Sequence, residues 1–205
     1  MGFSSRILGF ITSLGLVQVD FKETPEIVGK LRELKELSFD TSNLENIPES
    51  IGNLTNLKTL SIHYTKISEI PESIGKLINL ERFFLTMEHL KFIKFPDSMA
   101  KLKNLKILSL DNVKLKEFPK WIKNLHRLTN ILLNNNAIVE IPEWLSELPN
   151  LKYLELTNNG IKNIPDNFIK LSHLNGIVLN NNPLTMDTRK ELEKLKAQGI
   201  ITIFF

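Results

Sequence analysis

The chain has 205 residues, of which 42% are hydrophobic, and its 26 basic and 23 acidic residues give a net charge of +3. It contains no cysteine, which excludes disulfide-closed ends and cysteine nucleophiles. The basic excess is mild and spread along the chain, and no block of five or more like charges occurs, so we expect no nucleic-acid partner. The length suits one domain with a sizeable core.

A proline-anchored pattern recurs through almost the whole sequence. The prolines stand at positions 25, 48, 71, 96, 119, 142 and 165, at steps of 23, 23, 25, 23, 23 and 23 residues. A fixed period of this length is typical of a solenoid. The clearest unit, residues 128–151, combines the spacing LxxLxLxxNxL with a return segment that contains Ile141 and Pro142.

This spacing resembles the leucine-rich repeat family in the 23-residue form common in bacterial proteins. The resemblance implies an α/β solenoid, or horseshoe, with a parallel concave β-sheet of about eight repeats and short helical or 3₁₀ return limbs. It also implies a module that binds proteins. We expect one domain over residues 1–205, with an irregular repeat in 1–30, regular repeats in 31–185 and a helix-strand cap in 186–205.

The N-terminal segment, with Arg6 followed by an apolar run, has the outline of a short signal peptide. The repeat register argues against that interpretation. Counting back 23 residues from Leu37 and Phe39 reaches Leu14 and Leu16, so the run already belongs to a repeat. It also lacks a small-residue cleavage site and the length of a membrane span. We therefore expect no membrane insertion.

Each repeat supplies a short strand with two inward-facing apolar residues, because alternate strand residues share a face. A crossover returns each strand beside the last, so the strands are parallel. The predicted inward pairs are Leu14/Leu16, Leu37/Phe39, Leu60/Ile62, Phe83/Leu85, Leu108/Leu110, Ile131/Leu133, Leu154/Leu156 and Ile177/Leu179.

The return limbs begin with the repeat proline, which suits the first turn of a helix because its missing N–H needs no partner there. An acid usually follows and complements the N-terminal dipole, so we interpret these acids as caps and not as catalysts. They are Glu26, Glu49, Glu72, Asp97, Glu143 and Asp166, and only Lys120 breaks the column.

One slot after each strand holds asparagine in the family, where the side chain bridges neighbouring turns. Here the slot holds Val19, Ser42, Thr65, Glu88, Val113, Asn136, Asn159 and Asn182. The last three units therefore predict a regular C-terminal half. In the less regular N-terminal half we expect Ser42 and Thr65 to replace part of the bonding.

The fourth unit is longer than the others by two residues, which fall within 86–95. Insertions in repeat proteins map to loops on one rim and are often functional. A structurally neutral bulge is the alternative.

After residue 184 the repeat stops and a cap is predicted. Thr188 and Glu191 have capping-box spacing, Leu192 and Leu195 lie about one turn apart, and Gly199 is placed to end the helix. Residues 200–203 then read as a final strand. Such a cap covers apolar surface that the last repeat would otherwise expose.

No catalytic motif is present, so we expect a protein that is not an enzyme and needs no cofactor or metal. The four histidines fall in different repeats. Only His63 and His89, in adjacent repeats, offer a chance metal pair, and ordinary exposed histidines are the favoured interpretation.

The outward-facing strand residues form the solvent face of the sheet, which the resemblance makes the concave face. Apolar residues there are not explained by the core. Phe84, Ile107, Leu132 and Tyr153 fall on adjacent predicted strands, with Arg82 and Glu155 beside them and with His63 and Tyr64 toward one rim. Apolar anchors with a charged border are typical of protein-binding patches, although single exposed apolar residues are normal on any surface.

Trp121 and Trp144 follow consecutive prolines by two positions. They are predicted to be neighbours on the outer face, either stacked as a second binding candidate or, as we favour, packed against the return limbs.

The first functional hypothesis is a monomeric module that binds a protein, such as a host or cell-surface protein. Two alternatives remain open. One is the substrate-recognition segment of a larger effector enzyme of the ubiquitin-ligase type, which a chain capped at Phe205 and lacking cysteine makes less favourable. The other is self-association through 203–205. Similar bacterial proteins are often exported, so secretion rests on resemblance alone, and a cytoplasmic location stays open.

Overall fold

The computed structural model describes residues 10–18, 22–40, 43–87, 93–169, 173–197 and 202–204. Its strands form one parallel sheet in chain order, with each strand hydrogen-bonded to the next. The strands are β1 (Ser13–Val17), β2 (Glu36–Asp40), β3 (Thr59–Thr65), β4 (Arg82–Met87), β5 (Ile107–Asp111), β6 (Asn130–Leu132), β7 (Tyr153–Glu155), β8 (Gly176–Val178) and β9 (Thr202–Phe204). The predicted parallel solenoid is confirmed.

Return segments follow the strands and are mostly single 3₁₀ turns. They span Glu26–Lys30, Glu49–Asn53, Glu72–Lys76, Asp97–Lys101, Lys120–Asn124 and Glu143–Glu147, and two α-helices follow, α1 (Asp166–Ile169) and α2 (Met186–Ala197). Each 3₁₀ turn begins directly after its repeat proline, so the proline stands at the N-cap position, one residue before the first turn in which it was predicted.

The acids of the first turn do not all act as caps. The Glu49 carboxylate accepts a hydrogen bond of 2.9 Å from the Ser73 N–H, in the first turn of the next repeat. For Glu49 the interpretation as a cap of its own turn is therefore wrong, because its carboxylate links two repeats.

A continuous apolar core lies between the sheet and the return limbs and runs from Val28 to Leu192. The predicted inward pairs are buried from Leu37 onward, whereas Leu14 and Leu16 in β1 are only half-buried. The first described repeat has a neighbour on one side only in the described part of the chain, and its core is correspondingly less complete.

The asparagine ladder joins the last units, as predicted. Asn159 donates its side-chain amide to the carbonyls of Leu133 and Leu156, at 2.9 and 3.1 Å, and accepts from the Ile138 N–H at 3.0 Å. Asn136 and Asn182 make the same kind of bridge to the preceding repeat. Backbone groups of neighbouring turns are thus satisfied without water.

The slot is filled differently in earlier repeats. Val113 is buried and apolar, and the Thr65 hydroxyl donates to the Met87 sulfur at 3.9 Å. Ser42, which stands one repeat before Thr65, lies outside the described residues, so the expectation that Thr65 replaces part of the backbone bonding stays a prediction. Val19, Ser42 and Glu88 lie outside the described residues.

A second polar ladder runs along the turns that enter the strands, and the sequence analysis missed it. The side-chain amides of Asn56, Asn79, Asn104 and Asn150 each donate to a backbone carbonyl of the preceding repeat, at 2.7 to 3.1 Å. His173 takes the same position in the eighth unit, with Nε2 at 3.1 Å from the Leu148 carbonyl.

The tryptophans pack against the return limbs, as favoured. The Trp121 ring lies 5.8 Å from the Phe95 ring, and the Trp144 ring lies 6.3 Å from the Phe118 ring in an edge-on arrangement. The ring partner of each indole is therefore a phenylalanine of the previous repeat and not the other tryptophan.

The long fourth unit and the cap are described in part. Tyr64 forms a bulge at the end of β3, where the register with β4 shifts between His63 and Thr65. Residues 88–92 of the insertion lie outside the described residues, as do Gly199 and 200–201. The helix predicted around Leu192 is present as α2, and β9 pairs with β8 as the final strand.

Replacing Asn159 by alanine should lower the free energy of unfolding by about 3 kcal/mol, because a buried backbone N–H and two carbonyls lose their partner. Asn150→Ala is the matched control, since it removes one exposed bond and should cost less than about 1 kcal/mol. Urea unfolding of both variants measures the difference. Equal losses would contradict the bridging role of Asn159.

Replacing Gly52 by alanine should also destabilise the chain, by about 1 to 3 kcal/mol, because the new Cβ would lie 2.6 Å from the Ser73 Cβ and 2.8 Å from its carbonyl oxygen. The control is Gly15→Ala in β1, where no atom lies within 4 Å of the new Cβ. It should leave the midpoint of thermal unfolding unchanged or raised. A neutral Gly52→Ala would show that neighbouring repeats do not need this close approach.

Candidate functional site

The solvent face is organised into columns by the strand register. One column contains Arg82, Ile107, Asn130 and Tyr153 on successive strands. The neighbouring column, two residues further along each strand, contains Phe84, Ser109, Leu132 and Glu155. Both columns match the predicted ones, so the four apolar residues lie on the four adjacent strands β4 to β7.

The four apolar residues alternate between the two columns. Phe84 and Leu132 lie in one column, and Ile107 and Tyr153 lie in the other. Diagonal neighbours on adjacent strands have Cα atoms about 8 Å apart, within reach of side chains of this size. We call these four residues the zigzag cluster.

Exposure differs within the zigzag cluster. Tyr153 is 45% exposed, whereas Phe84, Ile107 and Leu132 are half-buried. Ser109, which pairs with both Phe84 and Leu132, is buried although it faces outward. The cluster is therefore an apolar surface of half-buried side chains, with the more exposed ring of Tyr153 at its β7 end.

Arg82 leans away from the zigzag cluster. Its Nε donates to the Thr59 hydroxyl at 3.0 Å, and its Nη2 lies 3.9 Å from the Glu36 carboxylate. The guanidinium therefore extends across β3 toward β2. Arg82 borders the cluster at β4, with its charged group directed toward Glu36.

His63 and Tyr64 lie at the end of β3, beyond the column of Phe84. Their ring centroids are 6.3 Å apart, and Tyr64 is 52% exposed. Tyr64 has a φ of 53°, a conformation shared by Gln18, Asn112, Asn135, Asn158 and Asn181. Asparagine tolerates this conformation, but for a tyrosine it costs on the order of 1 kcal/mol. An exposed aromatic ring is thus held in an unfavourable backbone conformation at the edge of the solvent face.

A hydrogen-bonded acidic network beside the zigzag cluster was missed by the sequence analysis. Asp111 Oδ1 accepts from the Asn134 N–H at 2.7 Å, and Asp111 Oδ2 accepts from the Ser109 hydroxyl at 3.1 Å. The Asn134 side chain in turn donates to Glu155 Oε2 at 3.2 Å and accepts from the Thr157 N–H at 2.9 Å. Asp111 belongs to a third outward column of the sheet, together with His63 and Thr86. Of this column, only His63 was considered from the sequence.

Burial raises the pKa of the Asp111 carboxyl above its usual range, and the nearby Glu155 charge acts in the same direction. The hydrogen bonds from the Asn134 N–H and the Ser109 hydroxyl oppose this effect. Asp111 is thus a partly desolvated carboxylate that is positioned by its neighbours and lies next to a second acid.

The described residues also bear on metal binding and on membrane-spanning helices. Within the described ranges, no group of three or more histidine, aspartate or glutamate residues is placed to hold a metal ion. His89 lies outside the described residues, so its proximity to His63 remains untested. None of the helices in the described part of the chain has the length and apolar character needed to cross a bilayer.

Replacing Asp111 by asparagine should change how stability depends on pH. Because the folded-state pKa is raised, the charged native carboxylate disfavours folding at neutral pH, and this penalty disappears as the pH falls through the folded pKa toward the unfolded value. The amide of the variant keeps an acceptor for the Asn134 N–H and has no such titration. In urea unfolding from pH 7 to 4, native stability should therefore rise relative to the variant. A decline relative to the variant would contradict the raised pKa.

Solved structures share the fold over most of the chain. A leucine-rich repeat protein of Leptospira interrogans is 27% identical, with a TM-score of 0.72, and the match covers 98% of this chain and 55% of that one. Internalin C2 of Listeria monocytogenes is 21% identical, with a TM-score of 0.76, over 98% of this chain and 84% of that one. The leucine-rich repeat domain of the type III effector XopL is 18% identical, with a TM-score of 0.75, over 94% and 76%.

These structural similarities do not all support the same conclusion. At 21% and 18% identity, the internalin and the effector domain show a shared fold and no more, and the chain spans 55% of the length of the Leptospira protein. No curated protein sequence matches the chain. The family model described as "Leucine-rich repeat region" matches residues 14–133, and the model described as "Leucine Rich Repeat" matches residues 150–171. Together with the 23-residue register of the sheet, these matches establish that the chain belongs to the leucine-rich repeat family.

Proposed function

We propose that the chain is a non-enzymatic module that binds a protein partner through the solvent face of its sheet. The observation that carries the proposal is the zigzag cluster, in which apolar side chains occupy outward positions on four consecutive strands. Core packing does not require apolar residues at these positions. The family commonly serves in protein interaction, which supports the same function.

The proposed contact surface extends beyond the zigzag cluster. Arg82 and Glu155 border it with opposite charges, and the His63 and Tyr64 rings add an aromatic edge on the side of β3. Tyr153 and Tyr64 are the most exposed members and are the proposed anchors, since aromatic side chains contribute large contact areas at interfaces. The unfavourable backbone of Tyr64 supports a role in binding, because folding does not require tyrosine there.

The proposal also covers the domain organisation, the oligomeric state and the class of partner. Residues 1–205 act as a single domain, a monomer without cofactor or metal, and the partner is a protein and not a nucleic acid. The chain binds without inserting into a membrane.

The central test is a triple variant, Phe84→Thr, Leu132→Thr and Tyr153→Thr. Because hot-spot residues carry most of the binding free energy, the variant should bind a partner on the order of a hundredfold more weakly while its thermal unfolding midpoint stays close to native. Binding is measured by interferometry against a panel of purified extracellular and cell-surface proteins.

The matched control replaces three exposed apolar residues away from the solvent face of the sheet, Ile27→Thr, Val139→Thr and Met186→Thr. It should bind as the native chain does. A partner retained equally by the triple variant would place the binding site elsewhere on the molecule.

A further inference from the structure

The turns that lead into the strands carry an uneven charge. We call the six described turns 30–35, 53–58, 76–81, 101–106, 124–129 and 147–152 the entry rim. The rim holds three glutamates, at positions 33, 81 and 147, against ten exposed basic residues, which are Lys30, Arg32, Lys35, Lys58, Lys76, Lys101, Lys103, Lys106, Arg127 and Lys152. This excess of seven positive charges exceeds the net charge of the entire chain, which is +3.

The opposite rim is nearly neutral. Between the strand ends and the following prolines, the described residues include six basic and five acidic side chains. The mild basic excess of the sequence is therefore not spread evenly in space. Because the repeats stack, charged residues at equivalent repeat positions lie side by side on the same rim.

The innermost charges of the entry rim form a row. The Lys58 N–H donates to the Lys35 carbonyl at 2.7 Å, the Glu81 N–H to the Lys58 carbonyl at 2.8 Å, and the Lys106 N–H to the Glu81 carbonyl at 2.8 Å. These residues therefore follow one another at the strand spacing, about 4.8 Å. Lys152 continues the row beyond Thr129.

Stability explains only part of this row. The Glu81 carboxylate lies 2.8 Å from Lys106 Nζ and 3.8 Å from Lys58 Nζ, and these two cations lower its pKa. Glu81 thus relieves repulsion in the middle of the row.

Two other cations are held within the rim, since Lys103 Nζ donates to the Asn124 carbonyl at 2.9 Å and Arg127 Nη1 donates to Asn104 Oδ1 at 2.7 Å. An excess of positive charge on one rim does not by itself favour folding, so the rim is a candidate site for a ligand of opposite charge.

The row lies directly beside the proposed contact surface. Lys106 precedes Ile107 in the chain, and Lys152 precedes Tyr153. Further across the solvent face the charges reverse, because Asp40, Asp111 and Glu155 stand on the strands there, whereas Glu36 lies in the first column and is 3.9 Å from the Arg82 guanidinium. A ligand that covers both regions therefore meets positive charge at the entry rim, apolar side chains next to it, and negative charge beyond.

We infer that the partner is a protein whose contact surface places carboxylates against the entry rim and an apolar or aromatic anchor on the zigzag cluster. This inference rests on the proposed protein-binding function. A nucleic acid or a sulfated polysaccharide presents anions along its whole length, and the acids of the solvent face would repel it. A protein surface combines carboxylates, apolar groups and cations in one contact area.

The test uses three defined probes in place of the unidentified partner. They are fluorescent poly-glutamate, a glutamate-tyrosine copolymer of equal length, and heparin, each titrated by anisotropy at 20 and 200 mM salt. The rim variant carries Lys35→Glu, Lys101→Glu and Lys152→Glu, outside the Lys58–Glu81–Lys106 group. The control reverses three lysines of the opposite rim, Lys94→Glu, Lys114→Glu and Lys162→Glu.

The native chain should bind both glutamate polymers at low salt and bind the copolymer more tightly. The rim variant should lose about tenfold or more in affinity for both, and the opposite-rim control should not. The Phe84, Leu132 and Tyr153 triple variant should lose only the tyrosine-dependent gain.

Three results would overturn the inference: no binding of either glutamate polymer at 20 mM salt, equal binding by the rim variant, or tighter binding of heparin than of the copolymer. A triple variant that keeps the full tyrosine-dependent gain would instead contradict the proposed contact surface and leave the acidic preference of the rim standing. The two proposals therefore fail in different measurements.

Discussion

In the described part of the chain, successive turns are joined by backbone hydrogen bonds, and the rest of the molecule depends on this stacking. The N–H of Lys58 reaches Lys35 and the N–H of Lys152 reaches Thr129, so each repeat advances by one strand spacing. A residue at a given repeat position is then stacked on its equivalents. Because the stack repeats each position, equivalent side chains form a hydrogen-bonded ladder, a layer of the core or a charged row.

The two asparagine ladders show how this stacking is held. One lies behind the strands at Asn136, Asn159 and Asn182, and the other lies along the turns that enter the strands. The first ladder stops at Val113, whose buried side chain is apolar and makes no hydrogen bond. The Val113 N–H instead donates to the side chain of Asn136, in the next repeat. The ladder behind the strands is therefore described only toward the C-terminus, whereas the ladder along the entering turns also joins the earlier repeats, at Asn56, Asn79 and Asn104.

The fold could be predicted nearly in full, because in each unit the periodic leucines mark the strand and the proline marks the return limb. The positions of Phe84, Ile107, Leu132 and Tyr153 followed from the same register. The side-chain bonds did not, since the Glu49 carboxylate was assigned to its own turn and instead accepts from the Ser73 N–H of the next repeat. The entry rim was overlooked because its charges are far apart in the sequence and adjacent only after stacking.

The asparagine ladder also bears on how a chain of this kind changes length. Asn159 takes from the preceding turn the same donors and acceptors that Asn182 takes from its own predecessor. A duplicated 23-residue unit inserted between them would meet identical partners on both sides. Growth by whole units is therefore open in this region, whereas near the Tyr64 bulge a copied unit would meet a neighbour of different register. In the described part of the chain, the region around Asn159 therefore suits lengthening by whole units better than the region around Tyr64.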